Sequence, residues 1–85
     1  MTKIEIVLTE TLRRGYQHLP VSVQAKFQKQ LKLLAQNPKH PSLKIHRIKD
    51  HWEFYVDKKY RCLFQQESHI YILKFVGGHD LIDRF

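Results

Sequence analysis

The sequence predicts an α+β protein: an N-terminal strand and a helical hairpin packed on one face of a small, mainly antiparallel twisted sheet. Three observations carry that prediction. Apolar residues recur at helical spacing between residues 10 and 36, and they alternate at strand spacing from residue 52 onward. The links between the late alternating runs are only a few residues long, which suits hairpins. Two short helices cannot hide their apolar stripes alone, and a sheet needs at least one covered face.

Each element has its own signal. In KIEIVL, Ile4, Ile6 and Leu8 share one face of a first strand. Thr9 then stands as an N-cap, with Glu10 in the first turn of a helix whose stripe is Leu12, Tyr16 and Leu19. Pro20 opens a second helix, where its missing N–H does least harm. Its apolar side is read as Phe27, Leu31, Leu34 and Ala35, with Lys26, Lys29 and Lys32 facing water, and Asn37-Pro38 stops it. A strand is expected around Leu43 to Ile48, where Ile48 breaks the parity of Leu43 and Ile45 and suggests a bulge or an early end. WEFYV and YRCLF alternate, and IYILKFV is apolar nearly throughout, as a central strand buried on both faces would be. With DKK and QESH as turns, these three form an antiparallel meander. Trp52 falls on the apolar parity and reads as core rather than as a base-stacking ring.

Composition narrows the function. At 85 residues the chain is read as one domain, 1–85, with no room for a second core. One cysteine excludes a disulfide framework, so Cys62 reads as a reduced, buried thiol in a cytoplasmic protein. Neither a signal peptide nor a membrane span is expected. Six histidines are many, but none has zinc-site spacing, and Gly77-Gly78 lacks the rest of a phosphate loop, so no metal or cofactor is expected. The net charge of +7 implies a strong positive field that favours nucleic acid or an acidic protein.

Parity then selects individual residues. Arg61 projects opposite to Tyr60, Cys62 and Phe64; if those meet the helices, Arg61 stands exposed on the open face. The glycines before His79 permit a sharp turn that would aim its ring over the same face. KIHRIKDH adds Lys44, His46, Arg47, Lys49 and His51.

From Asn37 to Asp80 the run NPKHPSLKIHRIKDHWEFYVDKKYRCLFQQESHIYILKFVGGHD resembles the RelE/ParE superfamily of toxin–antitoxin toxins, nearest the RelE-like and plasmid-stabilisation types that include YafQ and YoeB. The order of strand, helical hairpin, HPSLK, tryptophan strand, YR-x-LF and VGGHD extends the likeness over the whole chain. The resemblance implies a RelE-like fold and an endoribonuclease, or mRNA interferase, that cuts messenger RNA in the ribosomal A site. It also implies an acidic antitoxin as partner and metal-free attack of a ribose 2′-hydroxyl on the adjacent phosphate.

Residue by residue, Arg61 matches the strand arginine that grips the scissile phosphate; its plainer alternative is a salt bridge to Glu53 or Asp57. His79 matches the histidine of the terminal G-x-H; it reads equally as a surface histidine in a turn. His46 is a candidate for proton transfer, and Lys44 and Lys49 for phosphate binding, against the reading of a basic strand edge that deters aggregation. His51 fits substrate contact or capping of the turn before Trp52. Phe85 stands where many members carry a late tyrosine, and its ring fits stacking on a base or burial in the core. The rival implications are a ParE-like protein that binds DNA gyrase, and an inactive relative that binds only an antitoxin.

Overall fold

The computed structural model describes residues 3–83. The chain runs through β1 (Glu5–Leu8), α1 (Glu10–Gln17), α2 (Val21–Gln36), a 3-10 turn (Pro41–Leu43), β2 (His46–Ile48), β3 (His51–Tyr55), β4 (Tyr60–Glu67), β5 (Ile70–Gly78) and α3 (His79–Asp83). The strands form one sheet in the order β1-β5-β4-β3-β2, antiparallel except for the parallel pair of β1 with β5. No helix among the described residues is long and apolar enough to cross a membrane.

Thr9 caps α1 as its side chain predicts. Its Oγ1 accepts the Leu12 N–H at 3.2 Å, and it also donates to the Leu73 carbonyl at 2.8 Å, tying the helix start to β5. At Gly15 the helix lies so close to β5 that a Cβ would sit 2.4 Å from the Val76 carbonyl oxygen. The buried stripe of α2 is Val23, Phe27, Gln30 and Leu34; Ala35, assigned to that stripe from the sequence, is exposed. A glutamine lies in an apolar stripe because its amide is used: Gln30 Nε2 donates to the Tyr55 carbonyl at 2.8 Å and the Ser42 carbonyl at 3.3 Å. From the sheet, Phe54, Cys62, Phe64, Leu73 and Val76 meet Leu12, Phe27 and Leu34 of the helices in one apolar core. Trp52 packs against that core from its edge. Burial pushes the Cys62 thiol well up from its ordinary value, and the nearby Glu53 carboxylate adds to this, so the sulfur stays protonated.

Two expectations are corrected. Leu43 belongs to the 3-10 turn, not to a strand; Lys44 takes a left-handed conformation (φ 47°) and delays β2 until His46. Of the two outcomes offered at Ile48, the structure has the early end, since β2 stops there after three residues; a separate bulge lies in the β4–β5 register at Leu63 and Phe64. Gly77 and Gly78 are not a sharp turn: both are in β5 and neither has positive φ. Gly77 is small for another reason, since a Cβ there would sit 2.9 Å from the Phe75 ring. After them the chain winds into α3, which packs on β4 and β5. Leu63 and Ile82 are buried yet stand apart from the main core, so the face away from the helical hairpin is itself partly covered.

Candidate functional site

On that second face β3, β4 and β5 align Tyr55, Arg61 and Gly77 in one cross-strand row. The adjacent row holds His46, Glu53, Leu63 and Phe75. Period-2 geometry therefore puts Glu53, Tyr55 and Arg61 together, as their parity requires.

Arg61 lies on the expected face but not in the expected state. It is 7% exposed, not open to solvent. Its Nη1 donates to the Asp57 carbonyl at 2.8 Å and the Lys58 carbonyl at 2.5 Å, plugging the turn between β3 and β4. Its Cζ rests 3.6 Å from the centroid of the Tyr55 ring, and Nε is 3.6 Å from Glu53 Oε1. Nε is buried and has no hydrogen bond, because that separation is too long for one. The salt bridge named as the plainer alternative is thus present, and it is buried rather than superficial. Nη2 is the guanidinium nitrogen with no hydrogen bond among the described residues and is not buried as Nε is. With Nη1 on the turn carbonyls and Nε facing Glu53, Nη2 is the nitrogen left to bond a ligand.

The turn that Arg61 plugs is built by Asp57, whose Oδ1 accepts the Lys59 and Tyr60 N–H groups at 2.8 and 2.9 Å. Partial burial pushes the Asp57 carboxyl up, but those two N–H groups and the Lys26 ammonium at 3.4 Å outweigh it and hold the group below its ordinary value.

His79 opens α3, exposed, and its N–H donates to the Lys59 carbonyl at 2.8 Å. That bond fastens the start of α3 to the turn. Between them lies a cleft of about 710 Å³, lined by Lys58, Lys59, Arg61, Gly78, His79 and Asp80 among others. Arg61 and His79 therefore share one cavity, rimmed by two lysines that the sequence reading treated only as turn residues.

A second group gathers around Tyr55. Lys44 Nζ lies 5.2 Å from its ring centroid, and the His46 ring meets it edge-on at 6.1 Å. His46 Nδ1 is 2.8 Å from the Lys44 carbonyl, and Nε2 is 3.1 Å from Glu53 Oε1. Both ring nitrogens thus face oxygen atoms, one of the backbone and one of a carboxylate. Glu53 and Tyr55, central to this arrangement, were not singled out as functional residues. The signal was available in their shared parity with Arg61.

Lys49 lies beyond this group, and His51 shares the face of Glu53 and Tyr55 at the far end of β3. Lys49 sits in the tight β2–β3 turn with φ 51°, and its carbonyl accepts from Arg47 Nε at 3.3 Å. His51 begins β3, four residues before Tyr55 and so about 14 Å from that end of the strand. Phe85 lies outside the described residues. Chemically, the cleft is lined by a buried guanidinium, two lysines and a histidine, a set suited to holding an oxyanion and moving a proton beside it.

No protein-family model matches the chain, and no curated protein sequence matches it. Solved structures do. The archaeal RelE–RelB complex from Pyrococcus horikoshii OT3 aligns with TM-score 0.74 at 10% identity, over 91% of this chain and 96% of that one. The E. coli DinJ–YafQ toxin–antitoxin complex aligns at 0.73 and 13%, over 95% and 98%. The YoeB/ParE toxin from Agrobacterium tumefaciens aligns at 0.70 and 13%, over 89% and 99%. The α+β architecture expected from the sequence is thus the RelE-like toxin fold.

Proposed function

We propose that this RelE-like fold is the toxin of a type II toxin–antitoxin system, and that it cuts messenger RNA in the ribosomal A site. The observation that supports the reading best is the shared cleft of Arg61 and His79, rimmed by Lys58 and Lys59. In the reaction, a ribose 2′-oxygen attacks the adjacent phosphorus as its proton leaves to a base. The P–O5′ bond breaks, the 5′-oxygen takes a proton from an acid, and a 2′,3′-cyclic phosphate remains. The guanidinium of Arg61 offsets the charge gathering on the phosphoryl oxygens through Nη2. His79 serves the departing 5′-oxygen from the rim of the cleft. His46 is the second proton-handling group, and Lys44 beside Tyr55 extends the cationic surface along the RNA strand. Lys49 and His51, at the far end of β3, fit at most a peripheral contact. The partner is an acidic antitoxin, consistent with the net charge of +7 and with the antitoxin-bound state of the DinJ–YafQ and RelE–RelB complexes.

Primer extension on a message under translation tests this, comparing the parent with His79→Ala. Cuts in the parent that fall about 10²- to 10⁴-fold in the variant are expected for loss of a proton donor. Blocked supercoiling by gyrase without RNA cuts would replace this reading with the ParE-like one. Neither effect, with tight antitoxin binding, would leave only the inactive relative.

A further inference from the structure

Glu53 is the buried charge that this mechanism leaves without a task. It is 4% exposed in the middle of a strand, at a position where its cross-strand neighbour Leu63 is apolar and equally buried. Burying a carboxylate is costly unless something specific is held by it. A single oxygen, Oε1, is what His46 Nε2 and Arg61 Nε both approach, at 3.1 and 3.6 Å. Each of those groups is anchored on its other side: His46 Nδ1 on the Lys44 carbonyl, Arg61 Nη1 on the carbonyls of the β3–β4 turn. The Tyr55 ring lies against the guanidinium and against the imidazole edge.

We infer that Glu53 is a positioning residue, whose carboxylate couples His46 on β2 to Arg61 on β4 and sets the plane in which Arg61 turns Nη2 outward. Tyr55 limits the tilt of that plane, and the turn carbonyls fix one of its edges. Glu53 adds the charge attraction at Nε, 3.6 Å away, that completes the hold of the turn carbonyls and the Tyr55 ring on the guanidinium. Among the described residues, His46 and Arg61 meet the carboxylate directly, the Cys62 thiol lies near it, and Tyr55 and Lys44 stand behind Arg61 and His46.

For its activity arm the inference rests on the ribonuclease reading; its structural arm does not. The test compares the parent, Glu53→Gln and Glu53→Asp by nitrogen-15 NMR of the Arg61 Nε–H and the His46 ring, alongside thermal melting and message cleavage. In the parent, the Arg61 Nε–H should be shifted by the Tyr55 ring current and slow to exchange with solvent. Glu53→Gln should exchange that proton about tenfold faster, move the His46 ring signals and cut about 30-fold less message. Parent-like Arg61 and His46 signals in a folded Glu53→Gln protein would overturn the inference, as would unchanged cleavage in a protein that cuts. If Glu53→Gln does not fold, Glu53→Asp decides. It keeps the charge but withdraws the oxygens by one methylene, so a loosened Arg61 signal supports positioning and an unaltered one refutes it. A parent that cuts no RNA sinks the ribonuclease reading and leaves the NMR comparison still decisive for Glu53.

Discussion

Glu53 and Phe54 are neighbours on one strand, 4% and 0% exposed, and they point to opposite faces of the sheet. Phe54 enters the core beneath the helices, 6.3 Å from the Phe27 ring centroid and 5.9 Å from that of Phe64. Glu53 enters a small polar group that includes His46, Tyr55 and Arg61. The two side chains are closed to water to similar degrees by different physics. Under the helices, burial needs only shape and volume, since apolar contact is nondirectional. On the other face, each buried polar atom needs a partner at the right distance and angle, and Arg61 Nε does not fully have one. The helix-covered face is built for stability. The other carries charge inward, at a cost that its polar contacts must offset.

That contrast can be broken experimentally, the largest effect first. Phe54→Ala removes a fully buried ring and should cost about 3–5 kcal/mol in urea unfolding. Glu53→Leu alone should cost about 3 kcal/mol, because it strands the buried Arg61 charge. The double variant Glu53→Leu with Arg61→Met should recover most of that loss, since a buried ion pair exchanged for apolar residues is often neutral in stability. Message cleavage should stay lost in the double variant. A double variant no more stable than Glu53→Leu would mean that the polar group stabilises in its own right, and the contrast between faces would fail.

Gly15→Ala is next. Alanine favours the helix by about 1 kcal/mol, but its Cβ would lie 2.4 Å from the Val76 carbonyl, which is backbone and cannot yield cheaply. Overpacking costs about 1–3 kcal/mol, so the net expected loss is about 1 kcal/mol, read as a lower unfolding midpoint.

Asp57→Asn sharpens the comparison at its polar edge. The folded Asp57 carboxyl is held below its unfolded value of 3.8. A depressed acid contributes stability that is fully present above the unfolded value and is lost as pH falls through the folded one. The parent's advantage over Asp57→Asn should therefore be about 1 kcal/mol at neutral pH and should shrink progressively below about pH 4. Lys26→Ala, which removes only the exposed partner of that carboxylate, should cost less than about 1 kcal/mol and lose its effect in high salt.

Much of the fold was legible because helices and strands differ in period. Leu12, Tyr16 and Leu19 at helical spacing, and Phe54, Cys62 and Phe64 on one parity, are local facts that survive into the structure. Gln30 was missed because its role is to serve two carbonyls distant in sequence. The glycines of β5 were misread as a turn because the ring that excludes a side chain at Gly77 is seen only once Phe75 is folded beside it. At the candidate site, parity correctly put Arg61 on the face away from the hairpin. Parity names a face, however, and says nothing about depth.

The amino-acid order by itself determined the α+β class, the two stripes that make a hairpin of helices, and the face each strand residue would meet, because side-chain direction follows from backbone period. Only the tertiary structure decided that β1 joins β5 in parallel, that α3 folds back on the sheet, and that Arg61 lies between Tyr55 and Glu53 with His79 across the cleft. Those outcomes depend on contacts between residues far apart in the chain, and such contacts are set by the register and packing of the whole sheet rather than by any local pattern.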